Sequence, residues 1–443
     1  MQSFIITLLI LFVSINAPAE AHLSNCNPTQ VIVEVTNDNT SATTVRNCQN
    51  ILNNRRIYCP DLISALSLPS LTNKCIVLCE NQTLSIAINI TAFTKNLTIT
   101  TNTSKQTILV TQHAYLHFMH GENLHISNLI FVNNFASLLP GDNISNHALI
   151  GLESISGLML RSIKVYSRLG YALQIFCVDG DVSISDINIT GVGNHTSKGL
   201  YMEISGNSPR LIKLQKVRLS SLVDNFNDTS CLEHSHQACG RGAGIGIFFR
   251  SSSSNVAVDL SVGTFYGNKA RFGAGLYVKF PKVSSNLTFR ISNCRFTYNS
   301  ADYTGGGMLV MGVKETTSII TIPNNTVLVT EVYFQNNTAG KGGGLSLWNL
   351  NLVGCSCQLS YSNFSYNTGT RGGDLYASKS TVDIHYRVNT NFSQCSSNQP
   401  LKGCGSVYVF ETQLKVRSGN FSWHRGSGIV LYYSKLELSL IHI

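Results

Sequence analysis

The feature that most constrains the fold is a repeat in the second half of the chain, in which Phe-x-x-Asn precedes a Gly-rich turn and an apolar strand. The four clearest copies are Phe265-Tyr-Gly-Asn268 with Gly273-Ala-Gly-Leu276, Phe296-Thr-Tyr-Asn299 with Gly305-Gly-Gly-Met308, Phe334-Gln-Asn-Asn337 with Gly342-Gly-Gly-Leu345, and Phe364-Ser-Tyr-Asn367 with Gly372-Gly-Asp-Leu375. Their phenylalanines are 31, 38 and 30 residues apart, which is natural if one turn of each repeat varies in length. The repeat predicts coils that stack along one axis, each contacting only its neighbours.

Weaker copies extend the repeat in both directions. Phe392 is followed by Cys395 and Gly403-Cys-Gly405, Phe421 by His424 and Gly426-Ser-Gly428-Ile429, and an early copy reads Leu124-His-Ile-Ser-Asn-Leu-Ile-Phe131-Val-Asn-Asn134. Strand-like stretches without the signature lie between, at Ile184 to Ile189 and Leu211 to Leu219. We therefore expect the coils to run from about residue 75 to the end of the sequence.

Each residue type of the repeat has a predicted place in the coil. Phe and the aliphatic residues point inward and stack on their equivalents about 4.8 Å away in the next coil. The Asn fits a corner with left-handed backbone, and stacked Asn amides can hydrogen-bond from coil to coil. The paired glycines allow positive φ and a tight turn into the next strand. An antiparallel sandwich or a propeller would instead need short hairpin turns or a Trp-Asp blade mark, which the sequence lacks.

At these residues the chain resembles the polymorphic outer-membrane protein repeats of chlamydial bacteria, defined by Phe-x-x-Asn and Gly-Gly-Ala-Ile-like tetrapeptides and related to the pectin-lyase-like superfamily. The similarity covers roughly residues 124 to 134 and 219 to 430. It implies an all-β, right-handed parallel β-helix and an adhesive or surface role.

The N-terminal region predicts export from the cell. Phe4 to Ile15 is an apolar run of signal-peptide length, and Ala19-Glu20-Ala21 offers a cleavage site. No later stretch reaches the 18 apolar residues of a membrane span. The predicted organisation is a signal peptide at 1–21, an N-terminal cap at 22–74 and a parallel β-helix at 75–443, in a secreted or cell-surface protein.

The 13 cysteines should be mostly disulfide-bonded in an oxidising compartment, with at least one left over. Five of them, Cys26, Cys48, Cys59, Cys75 and Cys79, crowd the first 80 residues and suggest a stapled cap. Cys231 with Cys239, and Cys395 with Cys404, bracket short loops that local disulfides could close.

Fifteen Asn-x-Ser/Thr matches predict heavy N-glycosylation and favour a eukaryotic secretory protein. They are Asn39, Asn81, Asn89, Asn96, Asn102, Asn143, Asn188, Asn194, Asn227, Asn286, Asn324, Asn336, Asn363, Asn391 and Asn420. In eight of them the central residue is large and apolar, so in a strand the Asn and the Ser or Thr would both point outward while the centre points inward.

The formal charge of +9 is dispersed without a long basic run. A dispersed basic surface gives no reason to expect nucleic acid as a partner and allows a weak attraction to acidic glycans. The Gly-Gly-Gly stretches at 305 and 342 lack the Lys and Ser/Thr of a phosphate-binding loop, and we expect no cofactor.

Catalytic and metal-binding alternatives rest on three small groups. Asp179-Gly-Asp181 with Asp186 is the compact carboxylate cluster that a glycoside-cleaving enzyme would need, but turn aspartates beside Gly180 are the simpler interpretation. The segment Cys231-Leu-Glu-His234-Ser-His236-Gln-Ala-Cys239 could bind a metal, although a disulfide is favoured. His113, His117 and His120 are interpreted as surface histidines.

The favoured function is a structural or adhesive β-helix that presents a lateral surface to a matrix component, a glycan or a cell-surface protein. A carbohydrate-active enzyme, polysaccharide lyase or hydrolase, with a site near Asp179 is one alternative, and the N-terminal part of a longer membrane-anchored receptor is another. The apolar runs Ile429 to Tyr433 and Leu436 to Ile443 would expose a strand edge, which predicts self-association through that end.

Overall fold

The structure is a computed structural model. It describes residues 26, 30–35, 49–51, 56–101, 106–111, 114–133, 148–168, 170–176, 180–193, 197–206, 210–224, 240–250, 253–281, 286–313, 325–385, 388–391, 394–395, 405–417, 419–422, 427–439 and 441–442. The predicted signal peptide therefore lies outside the described residues.

The described chain is built almost entirely of short strands. In the first half they are β1 (Val31–Val35), β2 (Gln49–Ile51), β3 (Arg56–Cys59), β4 (Lys74–Leu78), β5 (Gln82–Leu84), β6 (Ile88–Ile90), β7 (Thr94–Thr101), β8 (Gln106–Val110), β9 (Leu116–Phe118), β10 (Gly121–Ser127), β11 (Leu129–Asn133), β12 (Ala148–Glu153), β13 (Ile155–Ser167), β14 (Gly170–Phe176), β15 (Val182–Gly191), β16 (Ser197–Ile204) and β17 (Arg210–Ser220). Helix α1 (Leu62–Leu66) lies between β3 and β4.

The second half repeats groups of four strands. They are β18 (Ile245–Phe249), β19 (Val256–Ser261), β20 (Thr264–Tyr266), β21 (Lys269–Phe272), β22 (Leu276–Lys279), β23 (Thr288–Ser292), β24 (Arg295–Thr297), β25 (Ser300–Thr304), β26 (Met308–Met311), β27 (Asn325–Thr330), β28 (Tyr333–Gln335), β29 (Thr338–Lys341), β30 (Leu345–Trp348), β31 (Cys355–Ser360), β32 (Asn363–Ser365), β33 (Thr368–Arg371), β34 (Leu375–Ser378), β35 (Thr381–His385), β36 (Val388–Asn391), β37 (Gln394–Cys395), β38 (Gly405–Phe410), β39 (Gln413–Val416), β40 (Gly419–Ser422), β41 (Ser427–Tyr432), β42 (Lys435–Leu438) and β43 (Ile441–His442). A 3₁₀ helix (Leu350–Val353) follows β30.

The strands of successive coils form three long sheets of 26, 12 and 5 strands in the described part of the chain. Every named strand pair there is parallel except β2 with β3. The largest sheet has two faces. Strands β13, β15 and β17 are long enough to cover both faces, whereas from β19 and β20 onward each coil has one separate strand on each face. This architecture confirms the predicted parallel β-helix.

Phenylalanine rings fill the centre of the repeat coils, as the sequence predicts. Phe265, Phe296, Phe334 and Phe364 are in register on β20, β24, β28 and β32 and are at most 1% exposed. Their neighbouring ring centroids are 4.4, 5.1 and 4.7 Å apart, with planes within 13°. The core thus continues from coil to coil without interruption by the variable loops.

The asparagines of the repeat form a buried ladder inside the corner after each Phe. Asn268, Asn299 and Asn337 each donate from Nδ2 to the Oδ1 of the next Asn, ending on Asn367, at 2.9, 3.0 and 3.0 Å. Each Nδ2 also donates to a backbone carbonyl of the preceding coil, as Asn337 does to Phe296 at 2.9 Å. The predicted ladder is confirmed.

The left-handed residue of that corner is the one before the Asn, which corrects the prediction. Gly267, Tyr298, Asn336 and Tyr366 have φ of 63°, 56°, 53° and 55°, whereas the four ladder asparagines do not have positive φ. The Asn side chain is needed for the ladder, so the chain reverses direction one residue earlier. The first glycine of each Gly-rich turn has the predicted positive φ, as at Gly305 (70°) and Gly342 (60°).

The early copy of the repeat and the strand-like stretches without the signature contribute to the same column of inward-pointing residues as the repeat phenylalanines. Phe131 is in register with Val165, which aligns with Ile189, then Leu219, then Phe265. The weak copy at Phe392 was misplaced, because Thr390 is the residue in register with both Phe364 and Phe421. Thr390 is 2% exposed, so a small polar side chain takes the Phe position in that coil.

The N-terminal residues cover the first coil. A disulfide joins Cys26 to Cys75, and Cys59 is also disulfide-bonded. Helix α1 is capped by Asp61, whose Oδ1 accepts from the Ser64 N–H at 2.6 Å, and it buries Leu62, Ala65 and Leu66. Strand β1 pairs with β4 in parallel, so the cap region itself contributes the first strand of the largest sheet. Within the described ranges, no helix has the length and apolarity to cross a membrane.

Candidate binding groove

A groove of about 430 Å³ lies on the outer surface of the first half of the β-helix. Its wall is formed by β10, β13, β15 and β17, four successive parallel strands of the largest sheet. Two outward columns line it. One column contains Asn123, Gly157, Asp181 and Leu211, and the other contains His125, Met159, Ser183 and Lys213, which are in register.

The groove begins where a surface ladder of asparagines ends. Asn96 donates to Asn73 at 2.8 Å and Asn123 donates to Asn96 at 2.9 Å, all three with positive φ. The next coil has Gly157 with φ of 72°, and a Cβ there would lie 2.6 Å from Asn123 Oδ1. Because glycine adds no side chain, the Asn123 amide oxygen can lie against the backbone of the next coil, and no further amide continues the ladder there.

The polar groups of the groove have capacity left for a ligand. Asp181 accepts the Leu211 N–H through Oδ1 at 2.8 Å, which orients the exposed carboxylate. Lys213 is exposed and has no ion-pair partner among the described residues. Met159, 45% exposed, supplies apolar surface in the same column as Lys213, with Ser183 between the two. The groove therefore combines an acceptor, a cation and an apolar patch, the mixture typical of binding sites for polar organic ligands.

His125 lines the groove with a perturbed imidazole. Burial, and then the nearby Arg161 cation, lower the pKa of its imidazole. Its Nε2 is buried without a hydrogen-bond partner in the described structure. The ring is therefore neutral at physiological pH and lies under the groove surface as a half-buried wall.

The predicted carboxylate cluster is only partly assembled in the described residues. Asp179 lies outside them. Asp181 borders the groove, but Asp186 has a left-handed backbone (φ 55°) in the turn further along β15, where it accepts from the Ser162 hydroxyl at 2.9 Å. Asp181 and Asp186 therefore do not share one site.

The other predicted metal and histidine candidates are separated or not described. Cys231, His234, His236 and Cys239 lie outside the described residues, as does His113. His117 Nε2 lies 3.6 Å from Glu153, and His120 is exposed. The described ranges contain no group of three or more potential metal ligands.

Four cysteines of the described part of the chain are not disulfide-bonded, although the sequence predicts mostly disulfides. Cys79, Cys294, Cys355 and Cys357 are free thiols, and the last three are buried. Burial raises the pKa of Cys294 and Cys357 to about 12. Of the predicted loop disulfides, Cys404 lies outside the described residues together with Cys231 and Cys239, and Cys395 is placed on β37 by its backbone only.

Seven predicted glycosylation sites have described side chains, all exposed or half-buried: Asn81, Asn89, Asn96, Asn188, Asn286, Asn336 and Asn363. Asn391 and Asn420 lie on β36 and β40 by backbone only, and Asn39, Asn102, Asn143, Asn194, Asn227 and Asn324 lie outside the described residues.

The predicted inside–outside arrangement of the sequons can be checked at five apolar centres, all of them buried: Ile90, Leu97, Ile189, Leu287 and Phe364. The Asn and the Ser or Thr on either side of these centres are exposed or half-buried, with the exception of Thr98. Thr98 is 5% exposed and hydrogen-bonds to Gln30.

His125, Met159 and Lys213 were not singled out by sequence. Lys213 alternates with inward Ile212 and Leu214, so a strand pattern places it outside. Its place in the same groove as Asp181 depends on the register between coils, which the sequence of one strand does not reveal. Comparison with known proteins finds no matching family model, no matching curated protein and no matching solved structure.

Proposed function

We propose that this chain is a secreted, glycosylated β-helix with a structural or adhesive role, and that the groove along β10, β13, β15 and β17 binds its extracellular partner. The observation that carries the proposal is the exposed Lys213, which has no ion-pair partner among the described residues and lines the same groove as Asp181 and Met159. Rigid strands hold such groups in fixed positions, which reduces the entropy lost on binding.

The partner class that suits this groove is an extracellular glycan, or a protein surface of similar chemistry. Hydroxyl groups can donate to Asp181 and Asn123, and the Lys213 ammonium can bind an acidic substituent. Coil spacing of about 4.8 Å gives repeated contacts along the axis, which suits an extended ligand. Secretion is supported by the apolar leader and the Cys26–Cys75 disulfide, and glycosylation by the outward sequons.

Binding is favoured over turnover by the chemistry of the groove wall. Glycoside hydrolysis requires two carboxyl groups flanking the bond. The described lining contributes one, Asp181, and its Oδ1 already accepts a backbone hydrogen bond. The enzyme alternative would have to recruit a second acid from elsewhere in the chain.

A binding assay on the full chain secreted from a glycosylating eukaryotic cell tests the proposal. Neutral and acidic glycan arrays and immobilised matrix proteins serve as probes, with Lys213→Gln as the test variant and Lys164→Gln, on β13 outside the groove lining, as its control. We expect Lys213→Gln to weaken binding about tenfold, the loss of one charge-assisted hydrogen bond, and the control to bind normally. Equal binding by all three proteins would contradict the proposed groove. Glycan cleavage that Asp181→Asn abolishes would establish the enzyme alternative instead.

A further inference from the structure

The three-residue strands β20, β24, β28 and β32 and their flanking turns carry a row of tyrosines on their outer surface, here called the tyrosine face. Its members are Tyr266, Tyr298, Tyr333, Tyr361 and Tyr366, each 47% to 55% exposed. The phenylalanines of the same strands point inward, so the tyrosines and their neighbours point away from the core. Aromatic side chains concentrated on one outer face usually contact something.

Two predicted glycosylation sites lie within this face. Asn363 is the first residue of β32, and its register partner in the preceding coil is Tyr333. Asn336 is in the turn after β28, where it takes the same left-handed position as Tyr298 one coil earlier. Tyr333 therefore lies one coil, about 4.8 Å, from the attachment point at Asn363, and Tyr298 lies one coil from the attachment point at Asn336.

The Tyr333 ring is placed to meet a sugar from Asn363. Arg295, its register partner on the other side, has its guanidinium carbon 5.8 Å from the ring centroid. The cation thus adjoins one side of Tyr333, and Asn363 adjoins the opposite side along the axis. An N-acetylglucosamine joined to Asn363 Nδ2 would therefore start one strand spacing, about 4.8 Å, from Tyr333.

The chemistry of the first sugar suits an aromatic partner. One face of the pyranose ring presents mainly C–H groups, and its N-acetyl group adds a methyl. Packing these on a phenol ring removes apolar surface from water while the sugar hydroxyls and the tyrosine hydroxyl stay solvated.

We propose that the tyrosine face is a platform for the protein's own N-glycans: the first sugar on Asn363 packs on Tyr333, and the first sugar on Asn336 packs on Tyr298. The inference rests on the glycosylation included in the proposed function, but it concerns a surface separate from the groove. The glycans then add contacts between adjacent coils and stabilise the stack.

The chain offers a matched control in the sequon at Asn188. Its central residue, Ile189, is buried like Phe364, and Asn188 lies on an outward position of β15. Its register partners are Lys164 and Arg218, so no aromatic ring adjoins that attachment point along the axis. A glycan on Asn188 should therefore affect solubility without coupling to a tyrosine.

The test is a double-mutant cycle on the full chain secreted from glycosylating cells, with site occupancy measured by peptide mapping. Asn363→Gln is combined with Tyr333→Ser, and Asn188→Gln is the control. We expect Asn363→Gln to lower the thermal midpoint by about 1–3 °C, to have no further effect when Tyr333 is already Ser, and Asn188→Gln to leave the midpoint unchanged. Enzymatic trimming to a single N-acetylglucosamine should preserve the wild-type midpoint.

The outcomes separate the two proposals. An occupied Asn363 whose loss lowers the midpoint equally with and without Tyr333, or as much as Asn188→Gln does, would overturn the packing inference and leave the proposed function standing. A bare Asn363 in peptide maps would overturn the inference at that site together with the predicted glycosylation there.

Discussion

Phe334 lies directly on Phe364, with ring centroids 4.7 Å apart and ring planes inclined by 13°. Both rings are at most 1% exposed, although the two residues are separated by a full coil of the chain. Because Phe296 lies on the other side of Phe334, the middle ring is buried by both neighbouring coils.

Replacing Phe334 by Ala should therefore be costly. The substitution leaves a cavity between two rings, and we expect it to lower the free energy of unfolding by about 3–5 kcal/mol. Urea unfolding monitored by circular dichroism measures the change. Gln335→Ala, at the exposed next position, is the control and should stay within about 0.5 kcal/mol of wild type. An unchanged midpoint for Phe334→Ala would remove that residue from the stack.

The asparagine ladder should be sensitive to loss of a single member. Asn337→Ala removes the hydrogen bond that Asn337 donates to the Phe296 carbonyl and the two that it accepts from the Asn299 backbone and side-chain amides, all in the core, and we expect the free energy of unfolding to fall by at least about 2 kcal/mol. The same change at Asn351, which accepts from the Thr381 hydroxyl on the exposed surface, should cost less than about 1 kcal/mol because water replaces the partner. If urea unfolding gave equal losses of unfolding free energy at the two positions, burial would not be the reason that the ladder stabilises the fold.

Stability should fall in mild acid partly through His125. Its pKa is lowered from 6.5 by burial and by Arg161, so the unfolded chain binds the proton first as the pH falls. The contribution of His125 to stability is thus fully present above pH 6.5 and declines as the pH drops below it. Urea midpoints at about pH 7.5 and about pH 5 should differ less for His125→Gln than for wild type. A difference that is identical in both proteins would exclude His125 as a source of the pH dependence.

The buried thiols should be unreactive despite their number. Alkylation requires the thiolate, and burial both raises the pKa of Cys294 and Cys357 and excludes the reagent. Iodoacetamide on the native protein should leave Cys294, Cys355 and Cys357 unmodified, whereas the guanidinium-unfolded protein reacts at all three. Mass spectrometry that finds native-state labelling would contradict their placement in the core.

Sequence alone predicted what recurs in every coil and missed what depends on one coil. The phenylalanine stack and the Asn ladder could be predicted because Phe and Asn recur three residues apart in each repeat. The position of Thr390 in the Phe column could not be predicted, because threonine is common at both inward and outward positions and the nearby Phe392 fits the repeat pattern better. The groove depends on Gly157, whose missing side chain matters only once the coils place it over Asn123.

The register of adjacent parallel coils underlies every surface described, and engineered cross-links measure it directly. In an Asn363→Gln background, Thr297→Cys with Gln335→Cys places two thiols on register partners, while Thr297→Cys with Ser365→Cys places them two coils apart. The first pair lies about 4.8 Å apart between Cα atoms, within disulfide range, and the second about 9.6 Å apart, beyond it. Under mild oxidation, non-reducing peptide mapping should find the 297–335 disulfide in high yield and no 297–365 disulfide. A 297–365 disulfide, or failure of the 297–335 pair to form in the folded protein, would contradict the parallel stack.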